Sequence, residues 1–90
     1  MSDYNVKINN EIEILIESKQ KYVREEVIEQ YIRCRKEKKM TQNEIADKVG
    51  TKRPSITRFE NGTYNPTLDF LVKVAVSMGK ELKIELVDKE

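Results

Sequence analysis

TQNEIADKVGTKRPSITRFENG, residues 41–62, is the segment around which the rest of this chain is arranged. It predicts two short helices joined by a tight turn. Thr41 is placed to cap the first helix, and Glu44 three residues on completes a Thr-x-x-Glu capping box. Ile45, Ala46 and Val49 repeat at the spacing of a buried helical stripe, with Ala46 small where a second helix must cross closely. Gly50 follows the last of them, where a helix commonly ends in a left-handed conformation that glycine adopts without penalty. Thr51 is placed to cap the second helix, and Pro54 falls in its first turn, where a missing N–H costs little. Ile56 and Phe59 share one face of that helix; Arg53, Pro54, Thr57 and Arg58 share the other. Asn61-Gly62 closes it.

A helix with an apolar inner face and an outer face of Arg, Pro, Thr and Arg is built to meet something outside. Two helices so joined make a helix-turn-helix, whose second helix can enter the major groove of DNA. A plain helical hairpin in a small bundle would share the caps and the period. The exposed arginines favour the groove-reading alternative.

Ninety residues make one small domain, near the lower limit of a self-sufficient core. A hydrophobic share of 38% beside 37% charged residues suits a helical protein with interfaces to fill. No apolar run approaches the roughly 20 residues that cross a bilayer, so a cytoplasmic protein without membrane contact is expected. The single Cys34 excludes an internal disulfide and fits a reducing compartment. With one Cys and no His, neither a Cys/His zinc site nor a His-based triad is available, and no cofactor or metal is implied. The carboxylates lie along helical faces as solvated charge. A non-enzymatic protein follows.

Net charge is only +1, but it is unevenly spread. Residues 1–32 carry four basic and seven acidic side chains, and residues 59–90 carry four and six. Residues 33–58 carry nine basic side chains against three acidic ones. The positive block covers residues 41–58 and their approach, where phosphate contacts would be needed.

Three parts are expected: an N-terminal arm and helical extension over 1–21, a DNA-binding domain over 22–79, and a C-terminal strand over 80–90. Tyr4, Val6 and Ile8 alternate, as in a short strand, an extended arm or a frayed terminus. A helix follows from Asn10 through Ile12, Leu15 and Ile16, with a break expected at Ser18-Lys19-Gln20-Lys21. The longest helix, 22–39, carries Val23, Val27, Ile28, Tyr31, Ile32 and Arg35 along one stripe, with Cys34 beside it as a small hydrophobe. An arginine on an apolar face needs a partner. Beyond the Tyr64-Asn65-Pro66 loop, Thr67 caps a helix with Leu68, Leu71, Val72, Ala75 and Met78 inward, ending at Gly79. Leu82, Ile84 and Leu86 then alternate with charges, as in a strand. A lone strand leaves its backbone unpaired. It could pair with residues 4–8 or with its twin in a homodimer, the simpler solution.

From about Arg24 to Met78 the chain resembles the lambda-repressor-like helix-turn-helix family. The matching residues are Thr41-Gln42, Ile45-Ala46, Val49-Gly50, Ser55-Ile56 and Phe59-Glu60-Asn61-Gly62. The wider chain is similar to small antitoxins of the HigA type, through its helical extension, Tyr64-Asn65-Pro66-Thr67-Leu68 and Gly79-Lys80-Glu81-Leu82. The resemblance implies an all-α bundle, with a short C-terminal strand added. It gives Gln42 a DNA-backbone contact, Arg53, Pro54, Thr57 and Arg58 the base-facing positions, and Thr51, Lys52 and Ser55 the groove edge. Asn61 matches a phosphate-contacting position, and Arg35 with Glu60 matches a pair bridging the first and third domain helices. Lys39 departs from the pattern, standing where the family often has Gly or Asn; its charge could gain a phosphate. The function so implied is a dimeric repressor of an inverted-repeat operator in double-stranded DNA, serving as antitoxin to a cognate toxin. The alternatives are a stand-alone phage-type repressor and a protein-interaction module that does not bind DNA.

Overall fold

The computed structural model describes residues 3–89, with side-chain surroundings given from residue 10 onward. Met1, Ser2 and Glu90, which the expected segments 1–21 and 80–90 include, lie outside the described residues. Four helices follow one another: α1 (Asp3–Glu37), α2 (Gln42–Val49), α3 (Arg53–Glu60) and α4 (Leu68–Ser77). The fold is the expected all-α helix-turn-helix bundle, without a strand among the described residues.

α1 corrects two expectations. The alternating residues Tyr4, Val6 and Ile8 are helical, and the helix runs unbroken through Ser18–Lys21. No strand among the described residues waits to pair with residues 4–8, whereas a helix satisfies its own backbone. Lysine and glutamine are strong helix formers, and Glu17 sits four residues before Lys21 in the favourable orientation. At 1.5 Å per residue, 35 residues span about 52 Å. The molecule is 54 Å in its longest dimension and only 29 by 19 Å across. α1 is therefore its long axis, and the other three helices gather around its C-terminal half.

The core is small and tightly specified. Ile28 and Tyr31 come from α1, Ile45 and Ala46 from α2, Ile56 and Phe59 from α3, and Val74, Ala75 and Met78 from α4 and its end. Phe59 is the hub, with Tyr31 and Phe70 edge-on to it, each at 5.4 Å. Tyr64 adds a third edge-on contact to Phe70 at 5.3 Å. The Tyr31 hydroxyl donates to the Leu71 carbonyl at 2.8 Å, tying α1 to α4. On α4 the inward stripe is Leu71, Val74, Ala75 and Met78; Leu68 and Val72 face outward instead. They form a second apolar row with Val76, one helical step around from the buried one. Val23 is also exposed, because it lies on α1 before the bundle begins.

The expected strand over 80–90 does not form in the single chain. Residues 80–89 hold no regular structure, Leu82 packs against the core, and Ile84 and Leu86 are exposed. With residues 4–8 committed to α1, an extended segment here finds no strand among the described residues to bond to.

All four helices end on the same bond, from an N–H to the carbonyl five residues back: Met40 to Arg35, Thr51 to Ala46, Thr63 to Arg58 and Lys80 to Ala75. That geometry needs a left-handed residue just before the donor. Glycine supplies it three times, at Gly50, Gly62 and Gly79, but at the end of α1 it is Lys39, with φ 56. A side chain in this conformation costs roughly 1–2 kcal/mol. Glycine gives back roughly 0.5–1 kcal/mol of this through the greater entropy of the unfolded chain. Lys39→Gly should therefore stabilise by up to about 1 kcal/mol and raise the melting temperature by up to about 4–8 °C, measured by circular dichroism.

Burial raises the Tyr31 hydroxyl above the ordinary tyrosine value of 10.0, and neighbouring Cys34 adds to the effect. The unfolded chain then gives up this proton before the folded one. The stabilisation is whole below about pH 10 and is lost as pH rises through the folded value. In urea titrations above about pH 10, the parent should lose stability and Tyr31→Phe should lose less.

Candidate nucleic-acid interface

The site begins with how α2 and α3 are set. Thr41 accepts from the Glu44 N–H at 3.0 Å, and Glu44 accepts from the Thr41 N–H at 3.1 Å, a complete capping box. Gly50 closes α2 with φ 74. Thr51 does not cap α3. Its N–H instead completes the end of α2, and Lys52 takes the capping position without a side-chain bond. α3 thus starts at Arg53, with Pro54 second, where no helical N–H partner exists to be lost. Thr67 caps α4 by accepting from the Phe70 N–H at 3.0 Å.

Ile56 and Phe59 bury the inner face of α3 almost completely. Lys52, Arg53, Pro54 and Arg58 are exposed on the outer face, with Thr51, Ser55 and Thr57 half-buried beside them. Asn61 is exposed at the far end. Its side-chain oxygen accepts from the Thr63 N–H at 3.1 Å and the Thr63 hydroxyl at 2.6 Å, which leaves the amide nitrogen as the group to offer.

A polar network holds this surface from behind. Arg35 on α1 grips Glu60 on α3 with two bonds, Nε to Oε2 at 2.7 Å and Nη2 to Oε1 at 2.9 Å. Its remaining nitrogen, Nη1, donates to the Met40 carbonyl at 2.9 Å, pinning the turn into α2. The two side chains are only 15% and 11% exposed. The guanidinium on the core face of α1 is thus satisfied by a fork-to-fork pair, the strongest arrangement open to it.

Gln42 extends the network. Its amide nitrogen donates to Glu60 Oε1 at 3.0 Å, while its oxygen accepts from the Thr57 hydroxyl at 2.8 Å and, more loosely, from Arg53 Nε at 3.4 Å. The sequence placed Gln42, Arg53 and Thr57 on one surface as separate residues. It missed that they share an acceptor atom; the available clue was a glutamine opening α2 opposite a helix that carries Thr57 and Glu60 on adjoining turns. The bond from Asn61 to Thr63 was missed as well, although Asn-Gly-Thr is a sequence in which an Asn oxygen meets the N–H two residues on. A cleft of ≈ 450 Å³ between Lys39, Thr41, Gln42, Asn43 and Arg53 opens beside α3.

A convex helix with arginines outward, backed by a satisfied ionic frame, fits a groove rather than enclosing a substrate. Residues 32–84 match the family described as Helix-turn-helix. The chain belongs to the helix-turn-helix family of transcriptional regulators. It is 31% identical over 83 residues to an uncharacterized HTH-type transcriptional regulator of Haemophilus influenzae, covering 92% of this chain and 81% of that protein. It is 39% identical over 61 residues to YqaE, another uncharacterized HTH-type transcriptional regulator, of Bacillus subtilis; 63% of this chain matches 53%, about half, of that protein. Among solved structures it is similar to one titled "Toxin-Antitoxin module from Streptococcus pneumoniae", at 28% identity and a TM-score of 0.62, over 98% of this chain and 96% of that one. This helix-turn-helix chain is accordingly a DNA-binding regulator, from a family of regulators rather than enzymes. None of its described helices is long and apolar enough to cross a membrane.

Glu60→Gln removes the charge that Arg35 faces and turns an acceptor of the network into a donor. Breaking a well-buried pair costs about 3–5 kcal/mol, and this one is slightly open, so a loss of about 2 kcal/mol or more is expected. Urea unfolding of the variant beside an exposed-site control such as Glu29→Gln measures it; equal midpoints would mean that the pair contributes nothing.

Proposed function

We propose that this helix-turn-helix regulator is a sequence-specific repressor acting in the cytoplasm, and that it is the antitoxin of a toxin–antitoxin pair whose operon it represses. One observation carries the DNA half: α3 turns Arg53, Pro54 and Arg58 to solvent while the network behind it holds the helix in place. Arginine offers paired donors that match guanine O6 and N7, worth roughly 1–3 kcal/mol of discrimination per good pair. Pro54 has no donor and makes an apolar contact. Lys52, Thr51 and Ser55 border the groove. Asn61 and the start of α2 at Gln42 meet phosphates, adding affinity without sequence information.

The antitoxin half is supported by the likeness to a protein of a toxin–antitoxin module. It is also supported by exposed apolar residues on α1 away from the core, Ile12, Leu15 and Ile16 among them, which offer a partner protein a place to bind. The repressor acts as a homodimer in which Leu82, Ile84 and Leu86 pair with the same segment of a second copy. That pairing gives the extended C-terminal residues the backbone partner that they lack in one chain. Two recognition helices then lie about 34 Å apart over an inverted repeat.

Arg53→Ala and Arg58→Ala should each weaken binding to the protein's own upstream DNA by about 5- to 150-fold and relax preference at one base pair per half-site. Binding by the parent should fall with salt at a log–log slope of roughly −0.9 per phosphate neutralised. Unchanged affinity and preference in both variants would remove the proposed readout. The antitoxin role is checked by co-expression with the product of the adjacent reading frame, whose growth arrest this chain should relieve.

A further inference from the structure

Thr57 lies at mid-helix on α3, half-buried, with part of its side chain open and its hydroxyl already engaged. The direction of that engagement follows from the chain of partners behind it. The Glu60 carboxylate receives two N–H groups from Arg35, so it meets Gln42 as an acceptor. The Gln42 amide must therefore turn its nitrogen to Glu60, at 3.0 Å, and its oxygen to α3. An amide oxygen has no proton, so the bond of 2.8 Å between it and the Thr57 hydroxyl uses the hydroxyl's one hydrogen. An ion pair at the back of the domain thus sets the polarity of a side chain at its front.

A threonine whose proton is committed inward has only its methyl group and oxygen lone pairs left to present. It has no donor for guanine O6 or N7, for thymine O4 or for adenine N7. We infer that Thr57 determines specificity through its methyl group, packing on the C5-methyl of a thymine, and that Gln42 is the positioning residue that withholds the Thr57 proton from the DNA. The inference rests on α3 entering the major groove, as proposed above.

The test uses the duplex that the full-length protein selects from a random pool, with each thymine of a half-site replaced in turn by deoxyuridine, which removes the methyl and nothing else. At one thymine the parent should lose about four-fold in affinity, the value of one buried methyl. Thr57→Ser, which keeps the hydroxyl but lacks the methyl, should be indifferent to that replacement. Thr57→Val, which keeps the methyl, should respond as the parent does. Gln42→Leu frees the hydroxyl proton, so it should shift the base preferred at that pair in the parent background and leave it unchanged in Thr57→Val. A parent indifferent to every deoxyuridine, or a Thr57→Val that loses the preference while Thr57→Ser keeps it, overturns the inference and leaves the DNA-reading role standing. Failure of the parent to select any sequence overturns both.

Discussion

A guanidinium cannot sit on the core side of a helix unless its charge is met and its nitrogens find acceptors, and this fold is arranged around Arg35, each of whose three nitrogens donates a bond. Three helices converge on that demand. α1 supplies the arginine, α3 supplies Glu60, and the turn into α2 supplies the Met40 carbonyl. Because guanidinium and carboxylate are both planar and meet in two parallel bonds, the pair fixes an angle as well as a distance. The hydrophobic contacts of Phe59 and Ile56 hold α3 against the core and choose which side of it faces inward. The ionic pair sharpens that choice, since two parallel bonds tolerate little rotation or slide. The face that α3 shows to solvent is therefore set jointly by its own apolar stripe and by a residue on another helix, 25 positions away in sequence.

Much of the domain was legible because its local signals agree with one another. The Thr41 box, the glycine after α2, the proline near the start of α3 and the Thr67 cap each state a boundary through the chemistry of one or two residues. The inward positions of α2 and α3 follow from period alone. Thr51 was ambiguous because the same residue can close one helix or open the next; a backbone bond to Ala46 settles it. On α4, apolar residues occur on two adjoining rows, so periodicity could not tell which row faces in. The network through Gln42 was beyond periodicity altogether, since it joins residues whose neighbourhood exists only after folding.

The errors at the two ends have a common origin. A period of two, in residues 4–8 and again in 82–86, describes what a strand would bury if a sheet were there to receive it. At the N-terminus the chain instead joined α1, because a helix needs no second segment for its backbone. At the C-terminus the alternation persists without a strand to express it: Leu82 packs against the core, while Ile84 and Leu86 stay in water.

The length of α1 has one more consequence. Only its C-terminal half packs against other helices, while from residue 10 to about residue 23 nearly every side chain stands in solvent. Residues without tertiary neighbours are held by capping, by charge pairs along the helix and by continuity with the turns below, and such a segment opens at far less free energy than the body it grows from. The outer turns of α1 and the bundle therefore differ in what holds them, one by bonds along a single helix and the other by contacts between four, so the rod carries a gradient of local stability along its length.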